Sequence, residues 1–263
     1  MNRNIINYYK LALGNSHYNY RFEESGCWRM AVSKKILITG VSKGLGRALA
    51  LELANLNHTI IGCSRDQSKL DSLKPLLFNF SSNPHFLFNV DVTSNSSVEM
   101  FAQAVVENNL VPDIIVNNAA LACRKCKIWE TEVEEVDNVI NTNVKGTINI
   151  MRHFIPLMIH NKQGIIINMS SDAGRAAHGE YALYCSSKWA VEGLSKCVAK
   201  ELPEELAIVS LDPGAVYTDM LALCLGDHHM ASQFPSPRQW ASKAATTVLG
   251  ITTSDNGASL TIN

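Results

Sequence analysis

From Lys35 onward, short apolar runs alternate with longer stretches in which apolar residues recur every three or four positions. The runs Lys35–Gly40, His58–Cys63, Phe86–Val90, Asp113–Val116, Gly164–Met169 and Ala207–Leu211 predict buried strands, and Leu260–Ile262 predicts a seventh. Between them, Leu45–Leu56, Gln67–Phe80, Ser94–Glu107, Glu132–His160 and Tyr184–Glu201 predict helices; in the first, Leu49, Leu53 and Leu56 share one face. Strands that alternate with helices imply βαβ units, and right-handed crossovers put helices on both faces of a parallel sheet. The expected fold class is therefore α/β, a single domain with a doubly wound parallel sheet of about seven strands. The least regular stretch, Leu221–Arg238, falls late in the chain, and a substrate lid is expected near 215–241.

Residues 1–32 break this rhythm. They carry tyrosines and asparagines without a clear period, and the fold is expected to begin near Ser33 after a disordered extension. That segment has no apolar core of a secretory signal and is poor in serine. A cytosolic protein is expected, with an organelle-targeting role of residues 1–30 left open. Across all 263 residues the formal net charge is −1, which argues against nucleic acid or an anionic membrane as partner. Seven cysteines, an odd number, argue against a disulfide framework, and Cys123-x-x-Cys126 lacks the second pair that a zinc site needs.

The first strand runs into Gly40-Val41-Ser42-Lys43-Gly44-Leu45-Gly46, which opens a helix. Glycines there allow a tight turn and close backbone approach to a pyrophosphate, and a helix N-terminus offers free N–H groups. The context suggests a dinucleotide site. The second strand ends in Ser64-Arg65, where NAD-binding folds place an acid. Arg65 can grip a 2′-phosphate with a fork of donors, and Lys43 adds a second cation, so NADPH/NADP+ is the expected cofactor. Asp66, next in line, is expected to cap the following helix.

Tyr184 and Lys188 lie four residues apart at a predicted helix start, on one helical face. An ammonium one turn away favours the phenolate, so this tyrosine is a candidate for proton exchange with a carbonyl oxygen. Ser171 ends the fifth strand, Asn117-Asn118-Ala119-Ala120 ends the fourth, Asn143 lies in the helix beyond it, and Pro213-Gly214 follows the sixth. All these fall where a ligand lies in such a sheet.

In order and spacing these motifs resemble the short-chain dehydrogenase/reductase family, from Lys35 to about Met220, with Ala120 where the family usually has Gly. The resemblance implies a Rossmann fold and residue roles. Tyr184 is the general acid in reduction, Lys188 lowers its pKa and binds the nicotinamide ribose, Ser171 binds the substrate carbonyl, and Asn143 holds a relay water. Asp91 and Val92 would lie along the adenine, and Asn117 and Ala119 near its ribose. Pro213, Gly214, Val216 and Thr218 would close over the nicotinamide. The family's long helices also imply a homodimer or homotetramer. Stretches such as Ile61-Gly-Cys-Ser-Arg65 and Lys188-Trp-Ala-Val-Glu-Gly193 resemble a plant branch that reduces pterin aldehydes, so the expected small-molecule partner is a carbonyl compound of that kind. A broad carbonyl reductase and a non-catalytic nucleotide sensor are the alternatives. Trp240, more than Trp129, Trp189 or Phe234, is the candidate to stack on a flat ring; Glu180 and Asp219 are candidate acceptors.

Overall fold

The computed structural model describes residues 20–22, 28–30 and 33–262. The chain divides into two compact units, Met1–Ser33 and Lys34–Asn263. In the first, strands β1 (Tyr20–Phe22) and β2 (Trp28–Met30) pair antiparallel, with Arg21 opposite Arg29. For the rest of residues 1–32, the expected disorder falls on residues outside those described.

In the second unit, β3 (Lys35–Thr39), β4 (Thr59–Ser64), β5 (Phe86–Asn89), β6 (Ile114–Asn117), β7 (Gly164–Met169), β8 (Leu206–Asp212) and β9 (Ser259–Thr261) form one sheet. Every neighbouring pair is parallel, and the order is β5-β4-β3-β6-β7-β8-β9. All seven predicted strands are present, with ends shifted by at most one residue. The order reverses between β3 and β6, so their carboxyl ends open a crevice beyond the sheet.

Both faces of the sheet are covered, which is why the strands read as continuous apolar runs. Ile36, Ile38, Ile60, Ile114, Val116, Ile167 and Val209 pack into one buried layer with Leu49 and Leu53 of α1 (Gly44–Asn55) and Leu70 and Leu77 of α2 (Gln67–Phe80). The intervening positions, Leu37, Ile61, Ile115, Ile166 and Ile208, face the opposite layer. There they meet Phe101 of α3 (Asn95–Glu107) and Ile150, Phe154 and Met158 of the helix after β6.

That helix departs from the expected single run over 132–160. It is α4 (Val133–Ile140), then a π-helical segment (Asn141–Gly146), then α5 (Thr147–His160). The widened turn holds Asn143 and Gly146; a Cβ on Gly146 would come within 2.8 Å of Val92 Cγ2. Tyr184 and Lys188 lie on α6 (Ala182–Val198), which starts two residues earlier and ends three earlier than the spacing predicts.

The stretch expected to be irregular is helical. It contains α7 (Asp219–Leu225), α8 (His228–Ala231) and the start of α9 (Pro237–Gly250). Each begins on a side-chain cap, from Thr218, Asp227 and Ser236, and Ser236 with Gln239 forms a capping box. The helices are short, so caps rather than hydrophobic period mark them in the sequence. Among the described residues no helix is long and apolar enough to cross a membrane.

Phe154 is fully buried between Phe101 and the sheet, with the two rings 5.3 Å apart. Phe154→Ala is expected to lower the unfolding free energy by about 3–5 kcal/mol in chemical denaturation. Ile148→Ala, on the exposed side of α5, should change it by less than about 1 kcal/mol.

Candidate active site

The glycine loop sits at the crevice where the strand order reverses. Gly40 and Gly44 have φ of +72° and +57°, a region that costs other residues strain. A Cβ on Gly46 would lie 2.5 Å from Gly40 O, so the helix start presses on the loop and only hydrogen fits. Lys43 at the N-cap of α1 gives no side-chain cap and the first turn holds no acid, so its amides face an anion without competition. Ser42 and Leu45, half-buried, complete the loop.

Asn118 holds this cradle from below. Its Nδ2 donates to Thr39 O at 2.8 Å and to Gly40 O at 3.3 Å. In return Thr39 Oγ1 accepts from the amides of Asn118, 3.0 Å, and Ala119, 2.9 Å. Asn118 belongs to the motif that ends the fourth predicted strand, but its bonds to Thr39 and Gly40 are not readable there. The pairing of an amide and a hydroxyl across 79 residues has no local signature.

At the end of β4, Ser64 is buried and its Oγ accepts from the amide of Asp66. Asp66 caps α2, accepting from the Lys69 amide and the Ser68 hydroxyl, and these bonds with the Lys69 ammonium hold its carboxyl well below the usual range. Asp66 is thus engaged, and Arg65 is left exposed beside it. Lys43 is not a free cation: its Nζ lies 2.9 Å from Asp219 Oδ2 at the start of α7, in an exposed pair. Asp219 is correspondingly taken up by Lys43, which depresses its carboxyl. Asp91 folds into its own turn, accepting from Thr93, while Val92 is buried and its carbonyl accepts from Asn149. Asn117 donates to Asn168 Oδ1 at 2.8 Å, but its own Oδ1 is buried with no hydrogen-bond partner among the described residues. An orphaned acceptor of this kind is costly unless a ligand meets it.

Lys188 is 3% exposed. Its Nζ donates to Met169 O at 2.8 Å, at the end of β7, and lies 5.6 Å from the centre of the Tyr184 ring. Burial draws Lys188 down to about 8 from 10.5, opposed by Asp212. Tyr184 goes the other way. Burial pushes its phenol up, Cys224 adds to this, and a hydrogen bond with Ser171 opposes it. The expected lowering by Lys188 is not among the causes that shift this phenol: desolvation dominates, and the phenol keeps its proton. A half-buried phenol against Ser171 that holds its proton can donate to an oxygen that becomes negative.

Ser171 caps the short turn Asp172–Gly174; its Oγ donates to Asp172 Oδ1 at 3.0 Å and accepts from the Ala173 amide at 3.2 Å. Asn143 is a clamp and not a water holder by its side chain. Its Oδ1 accepts from Leu121 N at 2.7 Å, and both Nδ2 hydrogens are used, on Leu121 O at 2.8 Å and Ser187 Oγ at 3.0 Å.

After β8, Gly214 turns with φ +69° and its amide donates to Asp212 Oδ1. Val216 is buried, and Thr218 caps α7. Tyr181, at the start of α6, donates its hydroxyl to Cys224 O, joining α7 to the helix of Tyr184 and Lys188. Trp240 is not a stacking platform. It is 5% exposed, packed in the core, and its Nε1 donates to Pro213 O at 2.9 Å. Glu180 pairs with Lys125 at 3.2 Å. Trp189 and Trp129 are exposed.

The family described as short chain dehydrogenase matches residues 34–225. The chain belongs to that family. It is 54% identical over 233 residues to an NADPH-dependent pterin aldehyde reductase of Arabidopsis thaliana, covering 89% of this chain and 95% of that protein. A 3-oxoacyl-[acyl-carrier-protein] reductase of Staphylococcus aureus is 30% identical, covering 73% of this chain and 78% of its own. Among solved structures, an oxidoreductase from E. coli superposes with a TM-score of 0.81 at 22% identity, covering 94% of this chain and all of that one. ElxO with NADP bound gives 0.78 at 26% identity, covering 88% and 97%. The resemblance read from the motifs is borne out, and this short-chain dehydrogenase is an oxidoreductase with the Rossmann fold.

A lysine whose folded-state pKa lies below its unfolded value binds fewer protons when folded. Stability therefore rises with pH between the two values, about 8 and 10.5. In thermal unfolding without nucleotide, the stability of wild type relative to Lys188→Met should increase from pH 8 to pH 10. A difference independent of pH would show that Lys188 is not strained by burial.

Proposed function

We propose that this chain reduces an aldehyde to an alcohol with NADPH, and that its substrate is a pterin aldehyde of the 6-formylpterin kind. The observation that carries the reaction is the half-buried Tyr184, its ring beside Lys188 Nζ and its phenol hydrogen-bonded to Ser171, with desolvation pushing that phenol up. The substrate rests on the Arabidopsis relative, which matches nearly the whole chain.

The residues fit the nucleotide. Gly40, Ser42, Gly44, Leu45 and Gly46 form a cradle that a Cβ would fill, at a helix start with free amides. Asn117 offers a buried acceptor without a partner among the described residues. Ser64 and the exposed Arg65 stand where an acid would repel a 2′-phosphate, with Lys43 in reach of the same loop. Asp91, Val92 and Ala119 would border the adenosine, Lys188 the nicotinamide ribose, and Pro213, Gly214, Val216 and Thr218 the nicotinamide. Bound NADPH supplies the hydride.

The chain's own residues do the remainder. The Ser171 hydroxyl holds the carbonyl oxygen, and Tyr184 gives its proton to that oxygen as charge develops. Lys188 keeps a cation beside the phenol and so favours the phenolate left after transfer. Asn143 fixes Ser187, next to Lys188, and the Leu121 segment facing α6. Outward-facing Ile148 and Ile159 on α5 and Trp189 on α6 support a homodimer or homotetramer as the working form. A cytosolic setting and a place in folate salvage belong to the same reading.

Tyr184→Phe should reduce kcat by about 10²–10⁴-fold while NADPH binding, read by fluorescence, stays unchanged. Turnover at the wild-type rate would overturn the mechanism. With 6-formylpterin, benzaldehyde and simple ketones compared, the pterin should give the highest kcat/KM; equal values would favour a broad carbonyl reductase. NADPH should exceed NADH by about ten-fold or more in kcat/KM, the worth of one charge-assisted phosphate contact.

A further inference from the structure

Glu192 lies four residues beyond Lys188 and eight beyond Tyr184, on the same face of α6. It is a carboxylate with a nearly buried side chain, and the proposed chemistry does not use it. Its Oε1 accepts from Arg175 Nε at 2.8 Å. Its Oε2 accepts from Ser210 Oγ at 2.5 Å, on β8, and from Ser259 Oγ at 2.7 Å, on β9. Arg175 in turn reaches β9, through Nη1 to Thr261 Oγ1 at 2.9 Å and Nη2 to Leu260 O at 2.8 Å.

Arg175 also closes the turn that carries Ser171. Its amide donates to Asp172 O at 2.8 Å, and the Gly174 amide donates to Ser171 O at 3.0 Å. This turn lies directly on the catalytic helix: a Cβ on Gly174 would come within 2.9 Å of Lys188 O and 3.1 Å of Glu192 Cγ. Ser171 and the Tyr184–Lys188 face thus belong to different segments, 13 residues apart in sequence, which pack together at Gly174 and are tied by a partly buried ion pair. Such a pair is weak evidence for stability, because desolvation offsets the attraction. Its bonds are directional, however, and they fix the two segments in distance and in rotation.

We propose that Arg175 and Glu192 are positioning residues for the reduction, setting Ser171 against Tyr184 and Lys188 through the bonds to β8 and β9. This rests on the reading of Tyr184 as proton donor. The reach of the carboxylate matters more than its charge. A glutamine can keep every link, since its oxygen accepts from Arg175 and its amide donates to the two serine hydroxyls. An aspartate keeps the charge but is one methylene short.

The test compares Glu192→Gln, Glu192→Asp and Glu192→Ala in the full chain, with NADPH and 6-formylpterin, and Tyr184→Phe as control. Glu192→Gln is expected to stay within about three-fold of wild-type kcat, and Glu192→Asp and Glu192→Ala to fall by about 10–100-fold, the cost of misplacing a reacting group by about 1 Å. NADPH affinity should be unchanged in all three. A wild-type kcat for folded Glu192→Asp and Glu192→Ala, with only the melting temperature lowered, would reduce the pair to fold support and overturn the proposal. A loss in Glu192→Gln as large as in Glu192→Asp would overturn it as well, in favour of charge. If Tyr184→Phe is inactive and Glu192→Asp is not, the positioning role alone fails. If Tyr184→Phe is active, the reading beneath it fails.

Discussion

A lysine ammonium withdrawn from water, holding one main-chain carbonyl at the end of β7, is the constraint around which the site is organised. Left to itself, burying that charge costs several kcal/mol, and the shifted titration of Lys188 expresses the cost. The fold tolerates it because large apolar clusters on either side of the sheet supply the stability. The same burial acts on Tyr184 with the opposite sense. One environment therefore loosens a proton on the lysine and tightens one on the tyrosine. Groups whose surroundings push their pKa values away from their ordinary ranges mark a site built for proton transfer.

Much of this was legible in the sequence, because the informative features are local. The alternation of apolar runs with helical stretches gave the strands and their parallel order, and the glycines that must adopt positive φ stand out by identity. Tyr184 and Lys188 were readable as a pair because a helix enforces their common face. Asp66 was readable as a cap because capping is settled within three residues.

What was misread depends on contacts between distant parts of the chain. Trp240 looks like a stacking surface beside an irregular lid, yet α9 turns it inward to hold Pro213. Lys43 looks like a free cation until Asp219, 176 residues later, takes it. Asn143 has the expected place, but the loop after β6 and Ser187 consume its amide hydrogens. The helices of the lid were missed because they are short, and their caps are hard to tell from the Ser and Asp of ordinary loops. The desolvation that raises the Tyr184 phenol was not readable for the same reason: spacing along a helix gives proximity and says nothing of burial.

The account stands on Tyr184 being a neutral phenol that has a proton to give. The direct measurement is the ionisation of Tyr184 in the protein without nucleotide, followed by the ring-carbon chemical shift of 13C-labelled tyrosine and assigned with Tyr184→Phe. The phenol should remain protonated through the ordinary tyrosine range, to at least about pH 10. A phenolate already formed near neutral pH would contradict it, because Tyr184 would then be a base and not the donor that the reduction requires.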